Sequence, residues 1–291
     1  MILGSIEISN RSLRFSVTEV EAATSIRLVE RFHSIFAREE NLDRLATLIV
    51  AEAEAAREAG AVRVEVTAGP DLRGTTLAHE LNRVCASIGA DNLKIPSAHH
   101  RAEAAFMGVT VPGREQMKGE VAVALVGERT VSVAAGSPGH LPHWVASRPV
   151  GALSMTEKAR FSDPPRPVQI DAAISGSTRQ IASLMPPAVD KVLVASDFAP
   201  VVERLCGSRF DREAARRGLD AVLGLNSDDL SAWFGIAPGL SRYLPGTLVC
   251  HLALAEALDC VLEPVVWEPV AGSEWLVRET VVSLADGIGK V

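Results

Sequence analysis

Two strand-turn-strand units constrain this chain more than any other feature. The first opens the sequence with Met1–Ile8, a polar turn at Ser9-Asn10-Arg11, and then Ser12–Val20. The second is EVAVALVGERTVSVAAG, Glu120–Gly136, which reads as strands Val121–Val126 and Thr130–Ala135 about a tight turn at Gly127-Glu128. Each unit is followed by a third strand, Ser25–Phe36 or His143–Arg148, and then by a helix. A βββα order that occurs twice predicts two related lobes, and a length of 291 residues fits two lobes of ordinary size.

The periodicity supports this division. Ser12–Val20 alternates Leu13, Phe15 and Val17 against Arg14, Ser16 and Thr18, the pattern of a half-buried strand. Asn41 precedes apolar residues at helical spacing (Leu42, Leu45, Leu48, Ile49, Ala53), which predicts a helix capped by Asn41 and ended by Gly60. Ala61–Thr67 alternates again as a strand, and Ala68-Gly69-Pro70 breaks it. A helix over Thr75–Ile88, a short strand at Leu93–Ile95 and a helix over His99–Met107 complete the first lobe. Pro112-Gly113 marks the linker, so the lobes are expected to span residues 1–115 and 116–291. In the second lobe Ser154–Phe161 reads as a helix, Ile170–Ile174 as a short strand and Gly176–Leu184 as a helix. Gly246–Asp259 is a long apolar helix, and Ser273–Ala285 is a closing one.

Composition narrows the class. The chain is 47% hydrophobic and 22% charged, as soluble globular proteins are, and no apolar run reaches the ~18–20 residues of a membrane span. MILGSIEISN lacks the basic region and apolar core of a signal peptide, so a cytoplasmic location without membrane attachment is expected. The four cysteines show no C-x-x-C spacing, which argues for free thiols. A net charge of −7 argues against a nucleic-acid partner.

Seven stretches, in order along nearly the whole chain, resemble the Ppx/GppA family of exopolyphosphatases and guanosine pentaphosphate phosphohydrolases. They are IEISNRSLRFSV (Ile6–Val17), TAGPDLR (Thr67–Arg73), PSAHHRAEAAFMGV (Pro96–Val109), VALVGERTVSV (Val123–Val133), PVGALSMTEKARFSDPP (Pro149–Pro165), SGSTRQIA (Ser175–Ala182) and WLVRET (Trp275–Thr280). The resemblance implies a two-lobed actin-like (ribonuclease H-like) α/β fold, with a mixed five-stranded sheet and flanking helices in each lobe. It also implies two phosphate loops facing one another across a cleft.

In that family the chemistry needs backbone donors for phosphate, carboxylates for Mg²⁺ and a base for water. The resemblance assigns phosphate contacts to Ser9, Asn10, Arg11 and Ser12 in the first loop, to Arg73, and to Gly127, Arg129 and Thr130 in the second. The first-loop arginine falls at Arg14. The loop aspartates fall at Glu7, the one metal candidate, and at Ala124. The catalytic glutamate segment falls at His100 and Arg101, and of these only His100 can act as a base. Only Gly127 survives of the second loop's three glycines, and Glu128 puts a carboxylate beside the phosphate position. The expectation is therefore a Ppx/GppA-like protein with degenerate loops, non-catalytic or weakly active. Such a protein binds a phosphate chain, another anion or a protein, a homodimer partner included. One alternative is a working phosphoanhydride hydrolase with a rearranged site, using His100 as base and Mg²⁺ as cofactor. Another is an actin-like nucleotide-binding protein.

Overall fold

A computed structural model describes residues 1–21, 24–90, 93–110, 116–186 and 188–266. The chain divides into two compact units, one built from Met1–Ser97 and the other beginning at Ala98.

The first unit contains β1 (Ile2–Ile8), β2 (Ser12–Glu21), β3 (Thr24–Ser34), α1 (Leu42–Glu58), β4 (Arg63–Ala68) and α2 (Thr76–Ser87). Its sheet runs β3-β2-β1-β4, with antiparallel pairs at β3/β2 and β2/β1 and a parallel pair at β1/β4. Ile6, Ile8, Leu13, Phe15, Val17, Val64 and Val66 project from one face onto Leu45, Ile49 and Ala53 of α1 and Leu77 and Leu81 of α2. The expected fifth strand at Leu93–Ile95 is reduced to one parallel bridge, Thr67 with Lys94, so this sheet has four named strands rather than five. Asn41 also departs from expectation. It stands before α1 without capping it, and its amide donates instead to the Phe36 carbonyl at 3.0 Å. The C-terminus of α1 is as expected: Gly60 takes φ +87°, and the amide of Ala61 reaches back to the Ala56 carbonyl at 2.9 Å.

The second unit contains α3 (Ala98–Thr110), β5 (Val121–Val126), β6 (Val131–Gly136), β7 (Trp144–Arg148), α4 (Ala152–Lys158), α5 (Pro167–Ile181), β8 (Lys191–Ser196), α6 (Ala199–Cys206), α7 (Arg212–Asp220), α8 (Ser227–Phe234), α9 (Pro238–Ser241), α10 (Leu244–Leu258) and β9 (Leu262–Val266). Its sheet runs β7-β6-β5-β8-β9, antiparallel through β5 and parallel beyond it. The boundary differs from the expected 115/116. Helix α3 packs across β5, β6 and β7, so it joins the second unit through its buried face. The anticipated linker at Pro112-Gly113 lies outside the described residues, as do the helix Ser273–Ala285 and the Trp275–Thr280 stretch.

The strand expected at Ile170–Ile174 is instead part of α5. Pro167 stands in the first helical turn, the Gln169 side chain accepts the Arg166 amide at 2.8 Å, and Ile170, Ala173, Ile174, Ser177 and Ile181 share the buried face. Five residues that are mostly apolar, here broken by Asp171, are ambiguous alone, and these flanking signals decide it. Helix α10 is buried at every position from Leu244 to Ala255 and forms the centre of the unit. Its His251 is fully buried. Nδ1 lies 2.9 Å from the Thr247 carbonyl, and Nε2 has no hydrogen-bond partner among the described residues. Burial pushes its pKa down to about 4, against a smaller upward effect of the Thr247 bond. Among the described residues, no helix is long and apolar enough to cross a membrane.

Candidate functional site

The first loop joins β1 to β2, and its donors are largely committed within the chain. The Ser9 amide donates to the Ser12 carbonyl at 2.8 Å. The Ser9 hydroxyl oxygen accepts the amides of Ser12 at 3.2 Å and Arg11 at 3.4 Å, and it shares a 2.8 Å bond with the Ser12 hydroxyl. One side-chain oxygen thus gathers amides of the kind that a phosphate loop turns toward an anion. The segment after β3 closes the loop from the other side, with Ile35 N–H on the Arg11 carbonyl at 3.0 Å and Ala37 N–H on that of Asn10 at 2.9 Å.

The arginines here stack on aromatic rings. The guanidinium of Arg11, a buried residue, lies 5.7 Å from the centre of the Phe36 ring, and Arg38 lies 5.2 Å from it. Arg14 lies 5.6 Å from the Phe32 ring. Glu7 sits in β1 directly across from Arg14 of β2 and Thr67 of β4. The TAGPDLR turn emerges beside the first loop, since the Gly69 amide donates to the Ile8 carbonyl at 2.9 Å. Arg73 is exposed at the end of that turn and donates to the Ile95 carbonyl.

The second loop, Gly127–Thr130, is a short turn seated on the start of α4. It is closed by Gly127 N–H on the Thr130 carbonyl at 2.9 Å. Three amides from the first turn of α4 then donate to it: Ala152 to the Gly127 carbonyl at 3.1 Å, and Leu153 and Ser154 to the Glu128 carbonyl at 2.8 and 3.2 Å. These amides would otherwise lack partners inside the helix. Gly151 makes this seating possible. A Cβ there would come within 2.6 Å of the Gly127 oxygen and of both carbonyl atoms of Glu128. Arg129 leaves the loop toward α4 and grips Glu157 with two bonds, Nη1 to Oε2 at 2.9 Å and Nη2 to Oε1 at 3.4 Å. Ala124 is a buried methyl within β5 and offers no ligand atom.

His100 lies exposed in the first turn of α3. Its ring is edge-on to that of His99 at 6.3 Å, and the nearby carboxylate Glu103 lies 3.4 Å from His99 Nε2. Among the described residues, no three His, Cys, Asp or Glu side chains are grouped to share a metal ion. A Mg²⁺ site needs several oxygen ligands; of the two positions the resemblance points to, Glu7 offers a carboxylate opposite Arg14 in the strand pair and Ala124 offers none.

The structure therefore brings Ser9–Ser12 beside the turn that carries Arg73, and Gly127–Thr130 beside α4. Sequence reasoning missed Gly151 and Glu157 as the partners of the second loop. Both lie in PVGALSMTEKARFSDPP, and their close match to the family pattern was the available signal.

Comparison with known proteins rests on structure alone. No family model matches the sequence, and no curated protein matches it. The crystal structure of the Aquifex aeolicus Ppx/GppA family member is similar over 97% of this chain and 98% of that one, with a TM-score of 0.80 at 16% identity. An exopolyphosphatase from Cytophaga hutchinsonii is similar over 96% and 98%, with a TM-score of 0.78 at 12% identity. An exopolyphosphatase-like protein is similar over 91% and 94%, with a TM-score of 0.78 at 17% identity. The chain has the fold of these proteins, the fold that the sequence resemblance implies.

Proposed function

We propose that this chain, on the fold of the Ppx/GppA proteins, binds an anionic phosphate ligand at its second loop and hydrolyses phosphoanhydrides weakly or not at all. The observation that carries this reading is the state of that loop. Its carbonyls take the first amides of α4, which withdraws those donors from a transferring phosphoryl group, while Arg129 stands half-exposed at its tip in a two-point contact with a carboxylate, the kind of contact that an anionic ligand makes. Phosphoryl transfer depends on positioned donors, a metal and an oriented water. Glu7 with Ala124 in place of a second carboxylate leaves few ligands for a metal, and the base position of the family falls on His100, exposed in the first turn of α3, and on Arg101, which cannot act as a base. A missing general base alone lowers turnover by ~10²–10⁴-fold.

The test is phosphate release from polyphosphate and from guanosine pentaphosphate, with and without Mg²⁺. Turnover near background, unchanged in His100→Ala, is the expected result. Robust Mg²⁺-dependent turnover that His100→Ala abolishes would instead establish the rearranged hydrolase.

A further inference from the structure

The contact between Arg129 and Glu157 has the form of an occupied anion site. A guanidinium grips a carboxylate through two parallel N–H donors, as it grips a phosphate. The two residues are 28 positions apart, one at the tip of the second loop and the other in the last turn of α4. That position is poor for a carboxylate in its own right, because the carbonyl end of a helix favours cations. Lys158, the next residue, is placed as the dipole prefers and donates to the Pro149 carbonyl at 3.2 Å. Glu157 is therefore held where it is by Arg129.

The pair is also easily opened. Its side chains are 41% and 50% exposed, and an exposed pair of this kind contributes little net stability. The loop does not depend on it, since three backbone bonds from Ala152, Leu153 and Ser154 fix Gly127 and Glu128 in place. Opening the pair thus releases the guanidinium without unseating the turn.

We infer that Glu157 is an internal competitor for Arg129, a carboxylate latch that a phosphate-chain anion must displace to bind the second loop. This rests on the proposal that the loop takes an anion, and it adds the regulation of that site. Occupancy would be set by the contest between ligand and Glu157, with affinity kept low at rest.

Isothermal titration with tripolyphosphate, at one fixed ionic strength, on the full chain and its Glu157→Gln, Arg129→Gln and doubly substituted variants tests it. Glu157→Gln is expected to bind about two- to fivefold tighter, the range that loss of an exposed competing pair allows. Arg129→Gln is expected to bind more weakly than the unmodified chain, and adding Glu157→Gln to it is expected to restore nothing. Equal affinity of Glu157→Gln and the unmodified chain, where the latter binds measurably, overturns the latch and leaves the anion site standing. A gain that persists without Arg129 reduces Glu157 to a source of general repulsion and also overturns it. Absence of binding in all four proteins removes both the latch and the site.

Discussion

Replacing His251 with Leu should remove a specific part of the protein's acid sensitivity. The imidazole is fully buried in α10, beside Phe210 at 6.0 Å between ring centres, and its Nε2 has no partner among the described residues. Burial disfavours the imidazolium and holds the folded-state pKa at about 4, against 6.5 for an exposed histidine. The folded-state value lies below the unfolded one, so the unfolded chain binds the proton first on acidification. Stability from this group is complete above the unfolded pKa and is lost as pH falls from about 6.5 toward 4. At 1.36 kcal/mol per pKa unit the loss reaches about 2 kcal/mol by about pH 5 and about 3 kcal/mol by about pH 4. Leu is of similar size and carries no proton. Any pH-independent repacking cost cancels when slopes rather than absolute stabilities are compared. Urea unfolding followed by tryptophan fluorescence, with Trp144 and Trp233 both in the second unit, measures those slopes. Between about pH 8 and about pH 5 the unmodified protein should lose about 2 kcal/mol more than His251→Leu. Parallel pH curves for the two proteins would refute the argument, because they would mean that His251 is protonated as readily folded as unfolded.

Two other substitutions probe the loops and the first unit. Gly151→Ala places a Cβ into the backbone carbonyls of Gly127 and Glu128, so the turn must shift off α4. The expected cost is ~1–3 kcal/mol in thermal or urea unfolding, and an unchanged midpoint would show that the seating is looser than described. Glu52→Ala removes the buried carboxylate of α1 that accepts Arg31 at 2.7 Å and meets His33 at 2.6 Å on the edge strand β3. Both partners keep some access to water, so the expected loss is ~1–3 kcal/mol, together with faster amide exchange along β3; unaltered exchange there would contradict a clamping role.

The repeated strand-turn-strand units, the helical spacing of Leu45, Ile49 and Ala53, and the largely apolar sequence of α10 were legible without coordinates, because each depends on local pattern. A short, mostly apolar segment such as Ile170–Ile174 was not decidable by itself, since a strand and one turn of a helix share that composition. The placement of α3 depended on which sheet could cover its apolar face, a choice made between segments far apart in sequence. The second loop makes the same point most clearly. Gly127-Glu128-Arg129-Thr130 reads as a turn from its own residues, but nothing local names the partner of Arg129 or explains Gly151, whose φ of −159° any residue can adopt. Only the packing of β5 and β6 against α4 places a carbonyl where a Cβ would stand and a carboxylate where the guanidinium ends, because both contacts join chain segments that meet through the folded sheet.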